Sequence, residues 1–145
     1  MQPGVSYVMP VLNEAGYLDA AVASILNQEY PGDSELILAL GPSSDGTDAI
    51  VERLRTKHTR IRVVQNPGMD IPIGLNLAIA EAKYPIIVRV DAHTELAPGY
   101  TSRGVSELER TGAASLGGIM VATGKPGFQA AVARGLLNQS IAGAC

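Results

Sequence analysis

The chemistry of this chain is concentrated where an apolar run stops. Ile86, Ile87, Val88 and Val90 read as a buried strand, and the same stretch, "IIVRVDAHTEL", carries Arg89, Asp91, His93 and Glu95. Carboxylate and imidazole groups can hold a divalent cation or move a proton. One residue separates Asp91 from His93, so in an extended segment both side chains fall on the same side and can grip one ion. An oxygen donor beside a nitrogen donor suits Mn²⁺, whereas Mg²⁺ prefers an oxygen-rich shell. The plainer alternative is that Asp91 caps a turn and His93 points to solvent. Arg89 tips the balance, because a charge within an apolar strand is costly unless it is paired or faces a ligand. An ion pair with Asp91 and direct contact with substrate are both open for it.

Such groups need elements to position them. Val5, Tyr7, Val8 and Met9 form a first strand stopped by Pro10, and Leu18, Val22, Ile25 and Leu26 then recur at helical spacing, with Asn13 as expected N-cap and Glu14 in the first turn. "ELILAL" is a second strand. The loop "GPSSDGT" leads into a helix with Ile50, Val51 and Leu54 on one stripe, and Ser44, Asp45 or Thr47 can accept from its free amides. "IRVVQ" is a third strand, "NPGMDIP" a loop, "IGLNLAIAEA" a helix and "YPIIVRV" the fourth strand. A helix from Tyr100 to Arg110 closed by Gly112, a fifth strand over "AASLGGIMV" and a helix over "FQAAVARGLLNQ" complete the expectation. Alternating strands and helices predict an α/β fold, doubly wound, with a mostly parallel sheet and helices on both faces. Parallel strands share their carboxyl ends, so "PVLNE", "GPSSDGT", "NPG" and "DAHTE" should line one crevice.

Composition narrows the partners. The 145 residues are 46% hydrophobic and 17% charged with a formal charge of −3, which describes an ordinary globular chain and gives no basic footprint for nucleic acid. The single cysteine, Cys145, permits no internal disulfide and suits a reducing cytoplasm. No stretch approaches a membrane span, although peripheral attachment is compatible with the sequence. The G-x-G-x-x-G dinucleotide motif is absent, and Thr47 stands where a P-loop would carry lysine. His58 ends a helix, where a cation favours the dipole.

Taken together, "VSYVMPVLNEAGYLDAAVASILNQ", "ELILALGPSSDGTDAIVERL", "NPGMDIPIGLNLAIAEA" and "IIVRVDAHTELAPGY" resemble, in order and spacing, the family 2 inverting glycosyltransferases of GT-A fold. The "RVDAHTEL" variant is most similar to the bacterial exopolysaccharide branch, including succinoglycan assembly. The resemblance implies a nucleotide-diphosphate sugar as donor, a glycan or lipid-linked acceptor, Mn²⁺ or Mg²⁺ as cofactor, and a cytoplasmic location that can extend to the inner face of the plasma membrane. It implies nucleoside or donor contacts for Pro10, Val11, Asn13, Glu14, Gly74, Asn76, Arg89 and Asp91, and metal ligation for Asp91 and His93. Helix capping for Asn13 and Glu14, and helix packing for Gly74 and Asn76, are the structural alternatives.

The departures are informative. Leu12 stands where the family often has an aromatic residue, and Leu40 and Gly41 where it often has paired aspartates, which leaves UDP, GDP and dTDP sugars all open as donors. After Met120 there is no Asp or Glu, so no general base is identified and the catalytic residue stays unassigned. Residues 1–145 are therefore expected to be the nucleotide-sugar-binding part of a single GT-A domain, an N-terminal piece with its acceptor half incomplete. A non-catalytic nucleotide-sugar-binding or scaffold module is the alternative function.

Overall fold

The computed structural model describes residues 1–118, and the chain divides into two compact units, Met1–Gly112 and Ala113–Cys145. In the first, the elements run β1 (Val5–Val11), α1 (Leu18–Leu26), β2 (Ser34–Leu40), α2 (Thr47–Lys57), β3 (Ile61–Gln65), α3 (Ile71–Ala80), β4 (Ile86–Arg89) and α4 (Tyr100–Thr111). The four strands form a parallel sheet in the order β3-β2-β1-β4. β1 and β2 lie inside it, which is why "VSYVMPV" and "SELILAL" are apolar on nearly every residue rather than alternating.

Each face of the sheet buries its own core. Tyr7, Met9 and Val11 of β1 and Leu36, Leu38 and Leu40 of β2 pack with α1, α2 and Val105 of α4. The alternate residues Val8, Ile37 and Ala39 face Ala78 of α3. The split follows from strand order. β1, β2 and β3 step in one direction and β4 returns to the other side of β1, so right-handed crossovers send α3 to the opposite face from α1 and α2. Truncating a fully buried member such as Ile37 to Ala should cost about 2–5 kcal/mol.

Local details depart from expectation in instructive ways. Pro10 does not stop β1; it pairs in register with Ala39. The last bond toward β4 runs from the Val90 N–H to the Val8 carbonyl, so Pro10 lies past that ladder and its missing N–H removes nothing from it. Asn13 is not an N-cap either. Its backbone is left-handed, at φ 53°, and α1 begins at Leu18 after a turn in which the Leu18 N–H donates to the Glu14 carbonyl. Asp70 caps α3, its carboxylate accepting from the Ile73 N–H at 3.0 Å, and Pro72 sits in the first turn. α3 buries only Gly74 and Ala78, and these small residues let it lie close on the sheet. Gly112, at φ 65°, closes α4 as expected. Of the predicted fifth strand, residues 113–118 are irregular and exposed rather than extended in a sheet. Its remainder and the predicted last helix lie outside the described residues.

At the amino ends of the strands, the buried Glu35 carboxylate ties the sheet together. It accepts from the Ser6 hydroxyl at 2.7 Å, the Lys83 N–H at 2.7 Å and Arg62 at 3.2 Å. Burial alone would raise the Glu35 pKa, but these hydrogen bonds outweigh it and hold the carboxyl below its ordinary value.

Candidate functional site

Reversal of strand order places the switch point between β1 and β4, and a crevice outside the carboxyl ends follows from it. A pocket of about 260 Å³ occupies this edge. The end of β1 contributes Pro10, Val11, Leu12 and Glu14, and the segment after β4 contributes Asp91, Ala92 and His93 beside Arg89. Gly41, Asn66, Met69 and Ile71 close the side toward β2, β3 and the start of α3. Four segments far apart in sequence thus meet, as the shared carboxyl edge requires.

The charged groups are arranged in two pairs. Arg89 donates to Asp91 Oδ1, at 3.2 Å from Nη2 and 3.3 Å from Nε, the ion pair that was one of the two readings open for this arginine. His93 Nδ1 lies 3.4 Å from Glu14 Oε1, so the pocket's two edges touch across it. The expected geometry of Asp91 and His93 is corrected. β4 ends at Arg89, and the Thr94 N–H donates to the Asp91 carbonyl at 2.9 Å, so the two residues sit in a turn and the period-two argument for an extended segment does not apply. Among the described residues no group of three His, Cys, Asp or Glu side chains is placed to hold a metal on its own.

Two loops hold the Glu14 end of the pocket. Asn13 Oδ1 accepts from the Ser44 N–H at 2.8 Å, and the Asn13 N–H donates to the Ser43 hydroxyl at 3.0 Å. Thr47, fully buried, accepts the Glu14 N–H at 2.9 Å through its hydroxyl, which also donates to Asp45. Asp45 further accepts from the Ala15 and Thr47 N–H groups, and these bonds, the Thr47 hydroxyl first, keep its carboxyl below the usual value. The loop "GPSSDGT" therefore clamps "LNEA" as well as starting α2, a role its turn-rich composition did not disclose. Ser44 donates to that clamp through its backbone instead of accepting from the helix.

Not every expected contact faces the pocket. Asn13 is exposed and outside its lining, and Asn76 points outward on α3. Gly74 is buried within α3, where it packs on the side chain of Asn66. Asn66 joins the pocket without having been expected from the motifs. It follows an apolar strand and precedes Pro-Gly, the setting of a loop residue, yet it is 4% exposed and lines the pocket. Its residue type at a strand's carboxyl end was the available signal.

Comparison with known proteins agrees with this architecture. The model of glycosyl transferase family 2 matches residues 6–140. Succinoglycan biosynthesis protein ExoA of Rhizobium meliloti (strain 1021) is 34% identical over 128 residues, covering 87% of this chain and 39% of that protein. Chondroitin synthase of Pasteurella multocida (strain Pm70) is 31% identical over 96 residues, 66% of this chain and 10% of that one. The chain thus spans about two fifths or less of the length of these relatives. The mannosyltransferase PcManGT from Pyrobaculum calidifontis, solved with GDP-Man and Mn²⁺, has a TM-score of 0.64 at 27% identity, over 70% of this chain and 31% of that one. S. aureus TarS matches in fold with a TM-score of 0.64 at 20% identity, over 86% of this chain and 24% of that one. The GT-A-like architecture expected from the motifs is borne out, and the chain belongs to glycosyl transferase family 2.

Proposed function

We propose that this chain is the donor-binding part of a glycosyltransferase that moves a sugar from a nucleotide diphosphate to a glycan or lipid-linked acceptor, with inversion, in polysaccharide biosynthesis. The observation that carries the reading is the pocket at the β1/β4 switch point, where Pro10, Val11 and Glu14 face Arg89, Asp91 and His93. The apolar lining of Leu12, Met69 and Ile71 and the charged groups of Arg89, Asp91 and His93 match a nucleoside and a diphosphate respectively. Work on a lipid-linked acceptor places the protein at the cytoplasmic face of a membrane; among the described residues no helix is long and apolar enough to cross one.

Arg89 is the cation for the diphosphate. Its pairing with Asp91 is exposed, at 57% and 38%, and an exposed pair contributes little, so the guanidinium can turn to phosphate oxygens without a large loss. Glu14 orients the His93 ring through Nδ1. Asp91 and the His93 ring nitrogen turned away from Glu14 would hold a divalent metal, which would supply positive charge at the diphosphate end of the pocket. Inversion requires the acceptor hydroxyl to attack from the face opposite the nucleotide.

Titration calorimetry with UDP, GDP and dTDP, each with and without Mn²⁺, tests the proposal. Binding of one diphosphate, weakened in Asp91→Ala and His93→Ala, is expected. Absence of binding to all three by the folded chain would rule out a donor site here.

A further inference from the structure

The segment between β4 and α4 carries Asp91, Ala92 and His93 into the pocket, with no regular element to fix it there. Its backbone leaves the sheet at the Val90 N–H, bonded to the Val8 carbonyl, and then turns as the Thr94 N–H donates to the Asp91 carbonyl. The side-chain pairs of this region, Arg89 with Asp91 and Glu14 with His93, involve an arginine and a histidine that are both more than half exposed. Pairs of that kind hold a backbone weakly.

Two side chains at the end of α1 supply what the segment lacks. Ser24 Oγ accepts from the Leu96 N–H at 2.9 Å while donating to the Ala21 carbonyl at 2.7 Å. Four residues on, Gln28 Nε2 donates to the Ala97 carbonyl at 3.0 Å and to the Ser24 carbonyl at 3.2 Å, and Oε1 accepts from the Thr101 N–H at 3.1 Å. Turning the Gln28 amide over would set Oε1 against two carbonyls and Nε2 against an N–H, so these bonds fix its orientation. The other end of α1 starts from Glu14, whose carbonyl accepts from the Leu18 N–H. One helix thus sets both sides of the Glu14–His93 contact: Glu14 in its leading turn, and His93 through Leu96 and Ala97, three and four residues further along the chain.

We infer that Ser24 and Gln28 are positioning residues for the donor pocket, holding the Asp91–His93 segment against Glu14 from α1 without lining the pocket themselves. The inference deepens the donor-site reading above and rests on it. Capping of α4 is the plainer role for Gln28, since the Thr101 N–H is one of the free donors at that helix's start. The cap accounts for Oε1 alone. The bonds to Ala97 and Leu96 fall before α4 begins, on the backbone that leads directly back to His93.

The test is calorimetry of the 145-residue chain in Mn²⁺ with UDP, GDP and dTDP and with uridine, guanosine and thymidine, beside urea unfolding of each variant. Gln28→Glu keeps an oxygen to cap α4 and deletes the donor to Ala97; Ser24→Ala deletes the acceptor for Leu96, and Ser24→Thr retains it. Ser102→Ala is the control, because its hydroxyl also ties α4 to the α1 end, donating to the Glu29 carbonyl at 2.9 Å, but lies past the segment. The diphosphate that the unaltered chain binds should be held at least about tenfold more weakly by Gln28→Glu and by Ser24→Ala, with nucleoside affinity unchanged, because small displacements of positioned groups are costly. Ser24→Thr and Ser102→Ala should bind it as the unaltered chain does. A merely structural role lowers stability in urea and leaves the folded protein's affinities alone, so folded Gln28→Glu or Ser24→Ala with undiminished diphosphate affinity overturns the assignment and leaves the donor site standing. The two variants delete different bonds, and either one that folds decides the matter. An equal loss in Ser102→Ala overturns the assignment too, since any loosening of α4 would then suffice. Failure of the unaltered chain to bind all three diphosphates overturns the donor reading and the assignment together.

Discussion

Gly74 lies against Asn66 so closely that a Cβ at position 74 would stand 2.6 Å from Nδ2 and 3.2 Å from Cγ of the asparagine. α3 reaches the end of β3 because that position has no side chain. A helix-interior Gly→Ala change ordinarily gains about 1 kcal/mol in propensity.

Gly74→Ala is expected to reverse that sign. Asn66 is buried and its amide is bonded to the Asp70 carbonyl, so it has little room to give. We expect net destabilisation of about 1–2 kcal/mol, from overpacking partly offset by propensity, together with loss of nucleotide affinity. Urea unfolding and calorimetry read the two effects separately; a more stable variant with unchanged binding would sink the overpacking argument.

Thr47→Val preserves shape and deletes a hydroxyl that accepts from Glu14 and donates to Asp45. The Glu14 N–H is left without its partner, and destabilisation of about 1–3 kcal/mol is expected from unfolding curves. Because Glu14 meets His93 across the pocket, Mn²⁺-dependent nucleotide binding should weaken as well.

Arg89→Met should separate binding from folding. The residue is more than half exposed and its ion pair is at the surface, so stability should change by less than about 0.5 kcal/mol. Nucleoside diphosphate affinity should fall at least about tenfold, roughly 1.4 kcal/mol, while affinity for the free nucleoside is unchanged. An equal fall for nucleoside and diphosphate would place Arg89 away from the phosphates.

Glu35 gives the fold an acid limit. Its folded pKa lies below the unfolded value of about 4.3, so its contribution is present above that value and is lost as pH falls through the folded pKa. Glu35→Gln should cost about 1–3 kcal/mol at pH 7, and the gap from the unaltered protein should narrow progressively below about pH 4. Thermal unfolding across pH 3 to 7 measures both; a gap that widens toward acid would mean the carboxylate does not stabilise the fold.

The sequence by itself determined the succession of strands and helices through α4, because side-chain period and the punctuation of Gly, Pro and Asp are local properties. β3 occupies "IRVVQ" as expected, and Gly112 ends α4. Shared strand polarity also puts "PVLNE", "GPSSDGT", "NPG" and "DAHTE" on one edge, although Asn13 of the first does not line the pocket. What tertiary structure decided was pairing. Asn13 reads as a cap in isolation, yet Ser43 and Ser44, thirty residues on, offer its polar groups better-placed partners, and α1 starts later as a result. Asp91 and His93 read as a two-residue grip, yet the chain turns after Arg89 and each side chain finds a separate partner. Asn66 shows the same limit most plainly. Its burial comes from α3 approaching the end of β3 through Gly74, a contact between segments whose letters carry no record of each other.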